Sequence, residues 1–143
     1  MNEQLVLGLS LKEALEKEDF FISSSNLDAV TLLDNTDRWA SGVLLLVGPK
    51  GSGKTHLSTV WSKENKAKYV KLEAVLQEME NGLDHEFVCV EDIDVIEKAE
   101  RQKKLKIEEG IFHLINSIGS RRGNLLISSR IMPNALPIGI KDL

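Results

Sequence analysis

Eight residues, GPKGSGKT at 48–55, constrain this chain more than any other stretch. They follow VLLLV at 43–47, a continuous aliphatic run between Gly42 and Gly48 with the pattern of a strand buried on both faces of a parallel sheet. A helix is expected to start near Lys54 and to run to about Lys66. The eight residues match GxxxxGK[ST] in full, and the flanking strand and helix start are the context that gives the pattern its meaning, a phosphate cradle. Gly48, Gly51 and Gly53 permit backbone conformations that a Cβ would forbid, so that successive N–H groups turn inward. The anion then rests on a helix N-terminus carrying roughly +0.5 charge. The expected cofactor-binding stretch is Gly48, Pro49, Lys50, Gly51, Ser52, Gly53, Lys54, Thr55 and His56. Lys54 would reach the β- and γ-phosphates of ATP or ADP, and the Thr55 hydroxyl would complete a Mg²⁺ shell. His56, one turn into the helix, also suits packing against its neighbours.

A cradle of this kind needs an acid at the end of a neighbouring strand. EFVCVEDID at 86–94 supplies one: FVCV reads as a buried strand, and Glu91 and Asp92 emerge where it stops. Glu91 is expected to bind the metal beside Thr55, and Asp92 to act with the catalytic groups. Ser128, the polar tip of the strand NLLIS at 124–128, is positioned by that reading to hydrogen-bond the γ-phosphate or the attacking water. Acids and serines also end strands for solubility.

Between these motifs the pattern is regular. AKYVKL gives a short strand and AVLQEMENG a helix that stops at Gly82 in the manner of a C-cap. IEEGIFHLINSI at 107–118 has apolar residues at helical spacing. Strands alternate with helices and no hairpin signal intervenes, so the expected fold class is α/β, a three-layer P-loop sheet. The segment 11–36, a short polar helix pattern followed by FFISSSN and an amphipathic stretch from Asn26 to about Leu33, reads as a lead-in to the first strand.

The totals exclude several classes. With 143 residues, 42% hydrophobic and 28% charged, the chain can bury one ordinary core. A net charge of -4 provides no global field for nucleic acid, so any DNA contact would come from a local patch. Two exist, KAERQKKLK at 98–106 and Arg121 with Arg122, and solvated surface charge accounts for both. Cys89, the one cysteine, cannot form an internal disulfide and reads as a small buried hydrophobe. No basic leader precedes an apolar run long enough to cross a bilayer, so the expected location is the cytoplasm with no membrane contact.

GPKGSGKTHL, VCVEDID, FHLIN and LLISSR, in this order and spacing, resemble the AAA+ ATPases of the bacterial replication initiator DnaA. QLVLGL at 4–9 adds a second likeness. Leucines at alternate positions suit an edge strand or a peptide held out for another protein. The stretch also resembles the sliding-clamp-binding consensus QLxLxL, with which the DnaA regulatory inactivators of the Hda group begin. The residues that carry this match are Gln4, Leu5, Leu7 and Leu9. The organisation implied is a tail, 1–17, followed by an AAA+ nucleotide-binding domain, 18–143.

That resemblance implies a regulator of chromosome replication initiation, tethered to the DNA polymerase sliding clamp, that promotes hydrolysis of ATP bound to DnaA. DNA would be reached mainly through the clamp, and self-association is possible for this class. Three leucines contribute about 1.5–3 kcal/mol each on full burial. Ordering six tail residues costs about 1–2 kcal/mol each. Net affinity is therefore expected to be modest, with avidity from a ring of identical pockets. In the family an arginine finger, a last core strand and a helical lid follow the region ending here at GIKDL, so the domain is expected to be incomplete, with weak or absent ATPase activity of its own. The sequence departs from the initiators at Glu91, where they carry Asp, and at Arg130, where they tend to carry an acid. A stand-alone P-loop ATPase and a DNA-binding replication protein remain the alternatives.

Overall fold

The computed structural model describes residues 21–23, 32–39, 42–49 and 53–131. The tail peptide Gln4–Leu9, the turn residues Lys50, Gly51 and Ser52, and everything after 131 lie outside them. Among the described residues five parallel strands form one sheet: β1 (Phe21–Ser23), β2 (Val43–Val47), β3 (Lys68–Tyr69), β4 (Phe87–Val90) and β5 (Asn124–Ser129), in the order β1-β2-β5-β4-β3. From β2 onward, the described connections carry the helices α1 (Lys54–Asn65), α2 (Val75–Glu80) and α3 (Arg101–Ser120).

The aliphatic run of β2 is buried at every position because both of its faces are covered. Val43, Leu45 and Val47 join Val88, Val90, Leu125 and Ile127 under α2 and α3. Leu44 and Leu46 join Cys89 and Leu126 on the opposite face, under Trp39 and Trp61 of α1. This is the period-two division of a strand between two cores, and it makes the three layers expected from the sequence. Trp61 stacks on Trp39 with ring centroids 5.4 Å apart and meets Phe87 edge-on at 5.8 Å, which seats α1 on the sheet. Burial pushes the Cys89 thiol up to about 12, so the group stays protonated and packs as a hydrophobe.

The helix in AVLQEMENG ends as expected. Gly82 N–H donates to Met79 O at 3.0 Å and Leu83 N–H to Glu78 O at 3.0 Å, the paired bonds of a Schellman cap, with Leu83 buried against the core.

Two elements differ from the expectation. Phe21–Ser23, read as part of a lead-in, is a strand pairing with Leu44–Leu46. Three residues are too few to show an alternation, and the strand owes its existence to the open edge of β2. Helix α3 starts at Arg101 rather than near 107. Its first six residues bury nothing and so carry no apolar period, but Arg, Gln, Lys and Leu have good helix propensity and extend a helix already nucleated by packing.

Helices α2 and α3 meet at Gly110, where an added Cβ would lie 2.6 Å from the Leu76 backbone nitrogen and 2.9 Å from its Cα. In an open helix Gly→Ala stabilises by about 1 kcal/mol. Here the contact is with backbone, which cannot yield cheaply, so the sign reverses. Gly110→Ala is expected to destabilise the protein by about 1–3 kcal/mol, read as a lower urea midpoint.

Candidate functional site

Strands β2, β4 and β5 run in the same direction and end nearly level, since Val47 pairs with Ser129 and Val90 with Ile127. Whatever follows each strand therefore arrives at one end of the sheet, where parallel α/β proteins hold their ligands. After β2, the Gly48 N–H donates to Ser129 O at 3.1 Å, and the chain turns into α1. Gly53 is the N-cap residue at φ 97°, a conformation that a side chain would strain. Lys54 is buried, and its Nζ donates to Pro49 O at 3.4 Å, so the amine folds back over the turn.

Gly53, Lys54, Thr55, His56, Asp92, Val95 and Arg130 line one cleft of about 520 Å³. Of the residues expected to bind the cofactor, Gly48 and Pro49 lead into this cleft and Gly53 through His56 form its wall. The two acids after β4 part company. Asp92 lines the cleft at φ 58°. Glu91 is half-buried against α1, where its carboxylate accepts from the Ser58 hydroxyl, one turn below Thr55; it borders a separate groove with Ser62, Tyr69 and Cys89. Ser128 is buried, and its Oγ accepts the Asp92 amide proton at 2.8 Å, so it holds up the acid loop from beneath.

Two residues absent from the sequence-based site complete the arrangement. Asp94 is 1% exposed and takes two hydrogen bonds from Arg130, from the backbone N–H to Oδ1 at 2.8 Å and from Nε to Oδ2 at 2.6 Å. Burial works to raise the Asp94 pKa, but the hydrogen bonds and charge of Arg130 outweigh it and hold the carboxyl below its ordinary value. The spacing of acids in EDID was the available signal, since an acid two places beyond Asp92, inside an apolar turn, needs a cation. Arg121, one of the two arginines noted as a patch, serves the fold. Its guanidinium donates to Leu83 O, His85 O and the Ser117 hydroxyl, tying the end of α3 to the 83–85 loop.

The cleft suits a polyphosphate. Lys54, Arg130 and the N-terminus of a twelve-residue helix place positive potential along it. Among the described residues no cluster of three or more His, Cys, Asp or Glu could hold a metal alone. A Thr55 hydroxyl with a nearby acid is the incomplete oxygen set that Mg²⁺ accepts when phosphate oxygens and water fill the rest.

A cleft at the carboxyl ends of a parallel sheet, opened by a glycine turn and a helix start, defines an α/β fold of the P-loop class. More narrowly, it is the fold of the AAA+ domain of DnaA. The chain superposes on a crystal structure of a DNA replication initiation factor with a TM-score of 0.60 at 17% identity, over 80% of this chain and 40% of that one. AMPPCP-bound DnaA from Aquifex aeolicus gives 0.58 at 16% identity, over 87% and 45%. Replication initiator DnaA bound to AMPPCP and single-stranded DNA gives 0.57 at 15%, over 86% and 44%. In sequence, the chain is 31% identical over 156 residues to an uncharacterized protein of Haemophilus influenzae, covering all of this chain and 64% of that protein. The chain thus spans less than two thirds of its sequence relative and less than half of each of these structures. No protein-family model matches it. Among the described residues no helix is long and apolar enough to cross a membrane.

The Asp94–Arg130 pair sets a pH dependence. A carboxyl depressed in the folded state contributes stability above its unfolded value of about 3.9, and that contribution is lost as pH falls through the folded value. Wild type is expected to be more stable than Asp94→Asn at pH 7, with the gap between their denaturation midpoints closing below about pH 4.

Proposed function

We propose that this chain is the nucleotide-binding part of a DnaA-like regulator of chromosome replication initiation, working in the cytoplasm. One observation carries the reading: Lys54 and Thr55 at a helix start share a single cleft with Asp92 and Arg130. ATP or ADP binds there with Mg²⁺, which neutralises phosphate charge when bound. Backbone N–H groups of the 48–55 turn and Lys54 hold the phosphates. Thr55 and Asp92 would hold the metal from the cleft wall, and Glu91 would join them on turning from the Ser58 hydroxyl that now engages its carboxylate. Ser128 keeps Asp92 in place through the amide. Binding, more than turnover, is the central property, because the bound nucleotide fixes the surface offered to a partner.

The partners follow from the tail and from the fold. Gln4, Leu5, Leu7 and Leu9 dock on the polymerase sliding clamp, Gln4 in a polar pocket and the leucines in an apolar groove. The clamp-held protein then meets DnaA and promotes hydrolysis of DnaA-bound ATP. DNA is reached mainly through the clamp, and self-association adds avidity. The alternation of QLVLGL and the DnaA likeness of the fold support this reading.

One observation favours a second reading, a DNA-binding replication protein. Lys98, Arg101, Lys103 and Lys106 are exposed where α3 begins, and its first turn carries no acid. Affinity of that origin would fall steeply with salt, whereas clamp docking through leucines would not.

Calorimetry with magnesium and ADP or ATP tests the site: Lys54→Ala is expected to weaken both nucleotides by about tenfold or more, the scale of a lost charge-assisted contact. Absence of heat with folded wild type would sink the reading. Titration with the clamp tests the tail: Leu7→Ala is expected to weaken binding by about tenfold or more, the scale of one buried leucine, and Gln4→Ala to weaken it as well. If neither substitution changes affinity, the clamp assignment fails.

A further inference from the structure

Glu91 and Asp92 leave β4 side by side, yet of the two only Asp92 lines the cleft. Glu91 lies half-buried against α1, in the groove that Ser62, Tyr69 and Cys89 also border. Among the described residues no lysine, arginine or histidine forms an ion pair with it, Lys63 of the same groove included. A carboxylate partly withdrawn from water needs a donor. Its donor is the Ser58 hydroxyl, on a side chain that is 1% exposed. Ser58 has a second acceptor within reach, the Thr55 carbonyl at 3.1 Å. A carbonyl one turn back is the ordinary partner of a serine inside a helix. A hydroxyl carries one proton, so the carboxylate and the carbonyl compete for it.

We infer that Ser58 is a latch for Glu91: it keeps this carboxylate one turn below Thr55 and yields it to the metal that accompanies the nucleotide, and so sets how strongly nucleotide affinity depends on Mg²⁺. The inference rests on the nucleotide reading above and extends it to the coupling between nucleotide and metal. The exchange strands no donor, because the Ser58 proton can turn to the Thr55 carbonyl when Glu91 leaves. Three residues of helix rise about 4.5 Å, and a glutamate rotating about its side-chain bonds covers that span without movement of the backbone. The latch opposes metal binding, since a hydrogen bond to a charged acceptor must break and only one to a neutral acceptor replaces it. Ser58 is a positioning residue: it acts through Glu91 and lies outside the cleft wall.

The test measures by calorimetry the affinity for ADP in magnesium and in EDTA, on wild type, Ser58→Ala, Glu91→Gln and the double variant, with thermal unfolding to establish that each is folded. The quantity read is the ratio of the two affinities. Ser58→Ala is expected to raise this ratio by about threefold or more, the difference between a bond to a charged group and a bond to a neutral one, and to leave affinity in EDTA within about twofold. With Glu91→Gln in place, the same substitution is expected to change the ratio by less than about twofold, because a role exerted through the carboxylate disappears with its charge whereas a merely structural role persists. Ser58→Cys, a weaker donor, is read in the same way and decides the matter if the alanine protein does not fold. A ratio that Ser58→Ala leaves unchanged or lowers, or raises equally beside Glu91→Gln, overturns the inference while leaving nucleotide binding intact. Folded wild type that binds ADP neither in magnesium nor in EDTA overturns both.

Discussion

The pairing of β2 with β5, from Val43 opposite Leu125 to Val47 opposite Ser129, is the constraint on which the rest of the molecule depends. It sets the end of the first motif strand level with the end of the last. A slip of one residue would move every side chain of β2 to the opposite face and take Leu44 and Leu46 away from the tryptophans. Burial on both faces makes that slip costly, so the register is held by two hydrophobic cores and not by the ladder alone. The glycine turn, the acid loop and the Ser128–Arg130 segment converge at one end of the sheet as a consequence of this pairing.

Convergence is then locked by a few polar contacts at that end. The Gly48 amide binds the Ser129 carbonyl, the Asp92 amide binds the Ser128 hydroxyl, and Arg130 binds Asp94 twice. Each joins two strand ends that are distant in sequence. Together they hold one cation and one acid loop beside the start of α1, where helix polarity and Lys54 add to the positive potential. The Asp94–Arg130 pair is largely removed from water on the carboxylate side, so breaking it leaves a buried charge without its partner. That makes it structurally demanding as well as suited to ligand contact.

Much of this was legible in the sequence. GPKGSGKT marked the end of β2 and the start of α1 at Lys54, because a glycine-rich stretch between an aliphatic run and a helical pattern decides those boundaries. FVCV and NLLIS were recognisable strands because continuous aliphatic runs mark strands buried on both faces, and Gly82 marked the end of α2. Less visible were elements that exist by pairing. β1 is three residues long and was hidden in FFISSSN, and the first six residues of α3 lack any apolar period. The site was divided in the same way. Thr55 and Asp92 share the cleft, whereas Glu91 leans on Ser58, and Ser128 supports a backbone amide. The direction taken by each of two adjacent acids depends on the turn geometry at Asp92, with its positive φ, which no periodicity encodes.

By itself, then, the sequence determined the alternation of buried strands and helices, the glycine-rich stretch between β2 and α1 and the candidate donors, because these follow from spacing, side-chain size and hydrogen-bonding capacity within a few residues. The tertiary structure alone decided the strand order β1-β2-β5-β4-β3, the role of Asp94 as the anchor of Arg130, and the presence of that arginine in the cleft. Those features join residues 36 or more positions apart, and only the packing of two cores around one sheet brings such residues within hydrogen-bonding distance.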